Sequence, residues 1–401
     1  MFIHADKSSN TKVGLLKILK DIRVLDLTQF WFGPFCTMML AEMGADVIRV
    51  EPPWGGVDRI ADAALYGGMS YTFHHFNLGK RNLTLNLKDP KGLKIFSNLV
   101  KVSDVVIQNF RPGTMERLGL GYEDLKRLNP SIIYAALSGF GQTGPYKERP
   151  SFAPIVEAMS GQSRLNGDEL EVDGKPVETA QAYGDLGPAL FAAMAIVAAV
   201  RHRDRTGVGQ MIDVAQLDCM LALTPALTGY SLSGLRLWQL KKKYPLGRGF
   251  GDLMKTKDGG WVRLASFSPR LVESLKEHLG VDVVSMEKLR AKVAEMTREE
   301  AVRFFVEAKV PIAPVYNVDE VFEDPHIEGR NMFVEIDHST AGRFRIVNFP
   351  IKFSETPGEV KDGAPILGQH TVEVLRGVLG YSDERIEKLV KEGVTSMTGS
   401  V

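Results

Sequence analysis

The hydrophobic positions in the first half of the chain fall into two alternating patterns. Ile22–Leu27 (IRVLDL) is a short β-branched apolar run followed by Gly33-Pro34. Phe35–Met43 is spaced like the inner face of a helix, and Asp46–Val50 is a second short apolar run. Strand, helix and strand in that order predict a βαβ unit, with parallel strands and a right-handed crossover. Asp104–Ile107, Ile132–Leu137 and Met211–Val214 predict further buried strands. Lys91–Val100, Tyr122–Leu128 and Pro188–His202 predict the helices between them. Such alternation is that of an α/β protein with a large, doubly wound, Rossmann-like domain.

The pattern changes near residue 225. The stretch SLSGLRLWQLKKKYPLGRGFGDL is irregular and rich in Gly and Lys, and Thr256–Gly260 reads as a hairpin turn between two apolar runs. Helices are expected at Arg270–His278, Ser285–Met296 and Arg298–Lys309, and a strand at Gly342–Phe353. A smaller α+β domain over 225–330 follows, with 1–220 as the first part of the large domain. Residues 335–401 return to it through amphipathic helices at His370–Leu379 and Ser382–Glu392.

Length and charge narrow the function. The 401 residues exceed the roughly 250–300 at which a single core stops growing. The 49 basic side chains balance 49 acidic ones, which argues against a nucleic-acid partner yet permits a locally basic groove. Two cysteines, Cys36 and Cys219, make no disulfide framework and point to a reducing compartment. The N-terminal stretch lacks the apolar core of a signal peptide. No apolar run reaches the roughly 18–20 residues of a bilayer span, since Gly187–Val200 is short and contains Pro188. A cytoplasmic enzyme with no membrane partner is the expectation.

Several motifs lead nowhere. Gly139–Gly144 matches G-x-G-x-x-G, but Pro145 and Pro150 follow where a dinucleotide fingerprint needs a helix. No GxxxxGK[ST] and no GxSxG is present. His74-His75 are sequence neighbours rather than i,i+4 partners, and neither cysteine sits in a CxxC, so no metal site is expected. Asp185 stands out instead. Gly184 and Gly187 flank it closely, ahead of the apolar helix Ala189–Val200. A carboxylate at such a helix start is an N-cap, or an ionised group accessible to a ligand as nucleophile or base.

Taken together, the stretches IRVLDLT with Gly33-Pro34, LAEMGADVIRVEP, NLGKRNLTLNL with DPKG, DVVIQNFRPGTMERLG, NPSIIYAALSGFGQTGPY, Gly184–Gly187, VPIAPVYNVDEVFEDPHIEGRNMF and GQHTV resemble the type III CoA-transferases. That family includes formyl-CoA transferase, carnitine CoA-transferase and alpha-methylacyl-CoA racemase. The likeness runs colinearly through nearly the whole chain. It implies that Asp185 is a covalent nucleophile, passing through a mixed anhydride and an aspartyl-CoA thioester. It implies CoA contacts at Trp31, Phe32, Leu85, Lys88, Asn109, Phe110, Arg111 and Arg117. It implies a mobile glycine loop over the site, for which Gly247, Arg248 and Gly249 are the candidates. CoA and acyl-CoA enter as substrates with a small carboxylic acid, and no permanently bound cofactor is implied. Members form interlocked homodimers.

The chain departs from the family in three places. Phe152 stands where the racemase branch has its histidine base, and Ala153 where an aspartate is common. Trp31 replaces the glutamine of formyl-CoA transferases. Pro52-Pro53 follow Glu51 where a basic residue sometimes sits, so the adenine end of CoA needs other contacts. Racemisation with Asp185 as base, and a non-catalytic CoA-binding paralogue, are the alternatives to transfer.

Overall fold

The computed structural model describes residues 17–243 and 251–398, except Ala63, Ser266, Phe267, Val283 and Lys361. The chain forms two compact units: one from the segments ending at Pro225 and resuming at Asn331, the other Ala226–Arg330.

The first unit is built on a six-stranded parallel sheet: β1 (Arg23–Asp26), β2 (Asp46–Glu51), β3 (Arg81–Thr84), β4 (Val105–Gln108), β5 (Ile133–Ser138) and β6 (Met211–Ala215). Their spatial order is β3-β2-β1-β4-β5-β6, all pairs parallel. Chain order therefore reverses between β1 and β4. In such sheets ligands bind in the crevice outside the carboxyl ends of the strands at that reversal. Buried strands lie between two apolar layers, as their continuous Val/Ile/Leu content requires. On one face Phe96, Leu99, Leu125, Leu375 and Leu389 pack against Leu25, Ile48 and Val106. On the other, Leu40, Ala189, Ala192 and Ile196 pack against Val24, Val47, Ile107 and Ala135.

Local chemistry sets several helix starts. Asp89 accepts from the Lys91 amide at 2.7 Å, and Pro90 occupies the first turn of Pro90–Val100, where no amide donor is needed. The long helix corrects the sequence reading: it runs Tyr183–Thr206, not Pro188–His202, so Asp185 lies inside its first turn rather than ahead of it. Glycine and proline read locally as punctuation, and Pro188 sits past the first turn, where it forgoes one backbone hydrogen bond within the helix. At 24 residues this helix is long and apolar enough to cross a membrane by length and composition, unlike the shorter helix expected from the sequence. Its Ala189, Ala192, Ala193, Ile196, Ala199 and Val200 are instead buried against the sheet.

The hairpin Phe333–His338 with Gly342–Val347 packs Ile336 and Ile346 on Met38, Met39 and Leu78 within the first unit. The second unit holds an antiparallel sheet of Gly251–Lys255, Trp261–Ala265 and Ile312–Pro314, joined at Thr256–Gly260 by a turn. Helices Pro269–Leu279, Met286–Ala294 and Arg298–Glu307 cover it, with Val262, Leu264, Leu275, Leu289, Val293 and Phe305 as its core.

Candidate active site

Asp185 is partly buried in the first turn of Tyr183–Thr206. Three neighbours define its surroundings. Glu157, on the helix Ala153–Met159, is 3% exposed and accepts the Gly184 amide on Oε1 at 2.8 Å and the Thr179 hydroxyl on Oε2 at 3.2 Å. Gln216, 4% exposed, opens the helix Gln216–Ala222 and donates its side-chain amide to Asp185 Oδ1. Gly184 lets the two helices meet: a methyl there would sit 2.7 Å from the Ala153 carbonyl oxygen and 2.9 Å from Val156 Cγ2. Distances under 3 Å to backbone force a shift, so only glycine places Asp185 here.

Burial raises the Asp185 carboxyl, the neighbouring Glu157 charge raises it further, and the Gln216 hydrogen bond opposes both. The outcome is a group pushed up to about 7. A carboxylate must be ionised to attack. Activity is therefore expected to fall about tenfold per pH unit below pH 7 and to level off above it. A kcat/KM profile from pH 5 to 9 checks this, and a flat profile from pH 5 upward contradicts it.

A second feature lies at the carboxyl edge of the sheet, where β1 and β4 adjoin. A cleft of about 330 Å³ is lined there by Leu27 and Gln29 after β1, Glu51 and Pro52 at the end of β2, Leu85 and Lys88 after β3, and Phe110 and Arg117 after β4. It gathers four of the residues carried over from sequence: Leu85, Lys88, Phe110 and Arg117. Lys88 and Arg117 are exposed cations on a mostly apolar wall. The other four lie elsewhere. Phe32 is buried in the core beside Cys36 and Leu40. Trp31 stands one residue ahead of helix Phe32–Glu42, its ring 5.3 Å from that of Phe76. Asn109 uses its carboxamide on the Gln29 backbone, accepting from N at 2.9 Å and donating to O at 2.8 Å. Arg111 is exposed on the turn before Thr114–Arg117. Gly247, Arg248 and Gly249 fall outside the described residues.

The β1 turn connects the two features. Phe30 has φ of +64°, a strained value for a side-chain-bearing residue. Asp58 accepts its amide at 3.1 Å, and Arg49 donates to the Thr28 carbonyl at 3.0 Å. Arg49 is wholly buried and ion-paired to Glu51 and Asp58, both at 2.9 Å. Beside it Lys80 meets Asp26 at 3.1 Å; desolvation pushes the Lys80 ammonium down to about 8, against the pull of Asp26. The Phe30 ring in turn meets Phe152 edge to face at 5.6 Å. Phe152 precedes the helix that carries Glu157.

Sequence reasoning passed over Trp54, Gln216, Glu157 and the chain's end. Trp54 is 65% exposed and lines the cleft. Val394–Ser396 returns under the cleft wall: Asn86 N donates to Val394 O at 2.8 Å, and Ser396 Oγ to Pro53 O at 3.1 Å. For Trp54 a signal existed, an aromatic two residues after the Pro52 that displaces a basic contact.

A doubly wound unit with a cation-edged cleft at its strand reversal and a partly buried carboxylate at a glycine-flanked helix start has the features of an enzyme. The chain belongs to CoA-transferase family III, whose model matches residues 19–371. It is 38% identical over 385 residues to succinyl-CoA:mesaconate CoA-transferase of Haloarcula marismortui, covering 89% of this chain and 95% of that one. It is 35% identical to the succinyl-CoA–L-malate CoA-transferase beta subunit of Chloroflexus aurantiacus, covering 92% and 96%. A CAIB/BAIF family protein from Brucella suis has the same fold, with a TM-score of 0.78 at 28% identity over 90% of this chain and 99% of that one. The protein is an acyl-CoA:carboxylate CoA-transferase.

Proposed function

We propose that this enzyme carries CoA from succinyl-CoA to a short dicarboxylic acid through covalent intermediates on Asp185. The observation that carries the mechanism is the carboxylate itself: partly buried, tied by Gln216, beside Glu157, and made basic by both burial and charge. A carboxylate of raised pKa is a better nucleophile once ionised. The donor and acceptor classes rest on the relatives, both of which are named for succinyl-CoA and a dicarboxylic acid.

The Asp185 carboxylate attacks the thioester carbonyl and expels CoA thiolate, leaving a mixed anhydride. The thiolate attacks the Asp185 carbonyl carbon and expels the donor acid as its carboxylate, leaving aspartyl-CoA thioester. An acceptor carboxylate attacks that thioester and releases thiolate. The thiolate then attacks the acceptor's acyl carbon, which frees the new acyl-CoA and returns Asp185 as carboxylate. Each bond made replaces one broken, so the thioester energy is conserved. Phe152, at the position of the racemase base, has no proton-accepting group, and the racemase reading has no support from this site.

The cleft suits the nucleotide end of CoA, with Lys88 and Arg117 toward its phosphates and Trp54 against the adenine face. Trp54→Ala is expected to raise the KM for acyl-CoA about tenfold, as loss of one base stack does, with kcat changed less than twofold. Initial rates over a range of succinyl-CoA concentrations check this; an unchanged KM removes Trp54 from the site.

We further infer a cytoplasmic homodimer. Cys36 and Cys219 are both free and buried. Leu190, Met194 and Val197 on the nucleophile helix and Leu221 and Leu223 after it are exposed apolar residues that a second copy of the chain would cover. Succinyl-CoA with a panel of mono- and dicarboxylates, followed by mass spectrometry of the CoA esters, tests the function. Exchange confined to dicarboxylates supports it. Deuterium uptake at the alpha carbon without exchange supports an isomerase instead.

A further inference from the structure

The reaction needs an oxyanion donor at two different carbonyls. Half of its tetrahedral intermediates form on the substrate's acyl carbon, and half on the side-chain carbon of Asp185. The donor for the second kind must already lie beside an Asp185 oxygen, because that oxygen does not move when the carboxylate becomes an anhydride or a thioester. Gln216 fills this position. Its amide donates to Asp185 Oδ1. An ionised carboxylate only accepts hydrogen bonds, so the amide nitrogen, not the oxygen, must face it. The side chain is 4% exposed, so water competes little for the bond.

The surrounding backbone holds Gln216 in place. It is the first residue of helix Gln216–Ala222, directly after β6. The Leu217 amide donates to the Gly139 carbonyl at 3.1 Å, which ties the helix start to the loop after β5. Gly139 packs so closely that a methyl there would lie 2.2 Å from Ser151 Cβ. The glycine-rich stretch Gly139–Gly144, which failed as a dinucleotide motif, thus helps to fix the residue beside the nucleophile.

Resting on the reading of Asp185 as nucleophile, we propose that Gln216 is a catalytic residue: the oxyanion donor for the steps at the Asp185 carbonyl. Its bond to Oδ1 directs attack to Oδ2. After that attack Oδ1 is the carbonyl oxygen of the mixed anhydride. When CoA thiolate adds to the Asp185 carbon, the π electrons of that carbonyl pass to Oδ1 as an oxyanion, which the Gln216 N–H stabilises. Collapse expels the donor acid as carboxylate and restores the carbonyl. The acceptor's attack on the thioester puts charge on the same oxygen. The bond is stronger to an oxyanion than to a neutral carbonyl, so it lowers the barrier rather than the ground state. The steps on the substrate's own carbonyl gain nothing from it.

That asymmetry separates catalysis from structure. Gln216→Leu should lower kcat for exchange about 10²–10³-fold, the cost of one oxyanion donor. It should change the KM for succinyl-CoA little. Formation of the anhydride persists while its conversion to aspartyl-CoA slows, so water intercepts more of it. The ratio of succinyl-CoA hydrolysis to CoA exchange should therefore rise at least about tenfold. Gln216→Met, closer in shape, serves if the Leu variant has lost its thermal unfolding transition. A folded variant that exchanges within threefold of wild type, or that loses exchange with an unchanged hydrolysis ratio, overturns the proposal. The wild-type control distinguishes the two levels: no adduct on wild-type Asp185 overturns the nucleophile reading itself, whereas an adduct with an unaffected Gln216 variant overturns the oxyanion role alone.

Discussion

Asp185→Asn is expected to lower kcat for CoA exchange by about 10⁴-fold or more, while CoA still binds within a few-fold of its wild-type affinity. The replacement is nearly isosteric, so the hydrogen-bonding frame survives. The Gly184 amide still reaches Glu157, and an amide oxygen still accepts from Gln216. What is lost is the anion. A carboxamide neither attacks a thioester nor carries CoA, and the neighbouring Glu157 is already committed, both its oxygens accepting from Gly184 and Thr179. The cleft is formed by other residues, at the ends of β1, β2, β3 and β4, so its affinity is independent of the change. Steady-state exchange rates and calorimetric titration with CoA check the two halves. Turnover within tenfold of wild type would exclude covalent catalysis at this position.

The largest effect on stability is expected from Arg49→Met, about 3–5 kcal/mol. The guanidinium is fully buried and meets Glu51, both oxygens of Asp58, the Thr28 carbonyl at 3.0 Å and Asn77 at 3.1 Å. Methionine fills much of the volume but leaves Asp58 as a buried anion without its ion pair, and leaves Glu51 ion-paired to Arg59 alone. Taking one partner from a buried ion pair costs far more than replacing the whole pair. The same loss reaches the cleft, because Arg49 and Asp58 hold Thr28 and Phe30 of the β1 turn. Urea unfolding should show the lower stability, and the surviving folded protein should show a raised KM for acyl-CoA. A variant as stable as wild type would mean that the network is dispensable.

The frame of the fold was legible because buried parallel strands are continuous apolar runs. Val24, Val47, Val105 and Ile133 each lie in a short, largely apolar strand that is buried in the core. Asp185 stood out through its flanking glycines; Gly184 is required by the helix contact at Ala153, and Gly187 faces the Leu223 side chain. Lys88 and Arg117 of the cleft were legible only through the resemblance to the family, since the strand Arg81–Thr84 that Lys88 follows has no apolar run to mark it. Gln216 and Glu157 were not, because each meets Asp185's turn from about 30 residues away in sequence, and a lone amide or carboxylate at a helix carries no local pattern. The Arg49 network escaped for a related reason: a charged residue within an apolar strand reads as an exposed edge until Asp58, Glu51 and Asn77 are seen to enclose it. The helix start at Tyr183 was missed because Gly184, Gly187 and Pro188 each argue locally against helix, and only the packing on Ala153–Met159 outweighs them.

Covalent capture at Asp185 tests the account most directly. The protein is mixed with succinyl-CoA without acceptor, reduced with borohydride, digested and sequenced by mass spectrometry. An aspartyl thioester is reduced to the alcohol, so residue 185 should appear as homoserine in the wild type alone, and its yield should fall when an acceptor dicarboxylate is added first. Unmodified Asp185 in a protein that exchanges CoA at full rate would contradict the account.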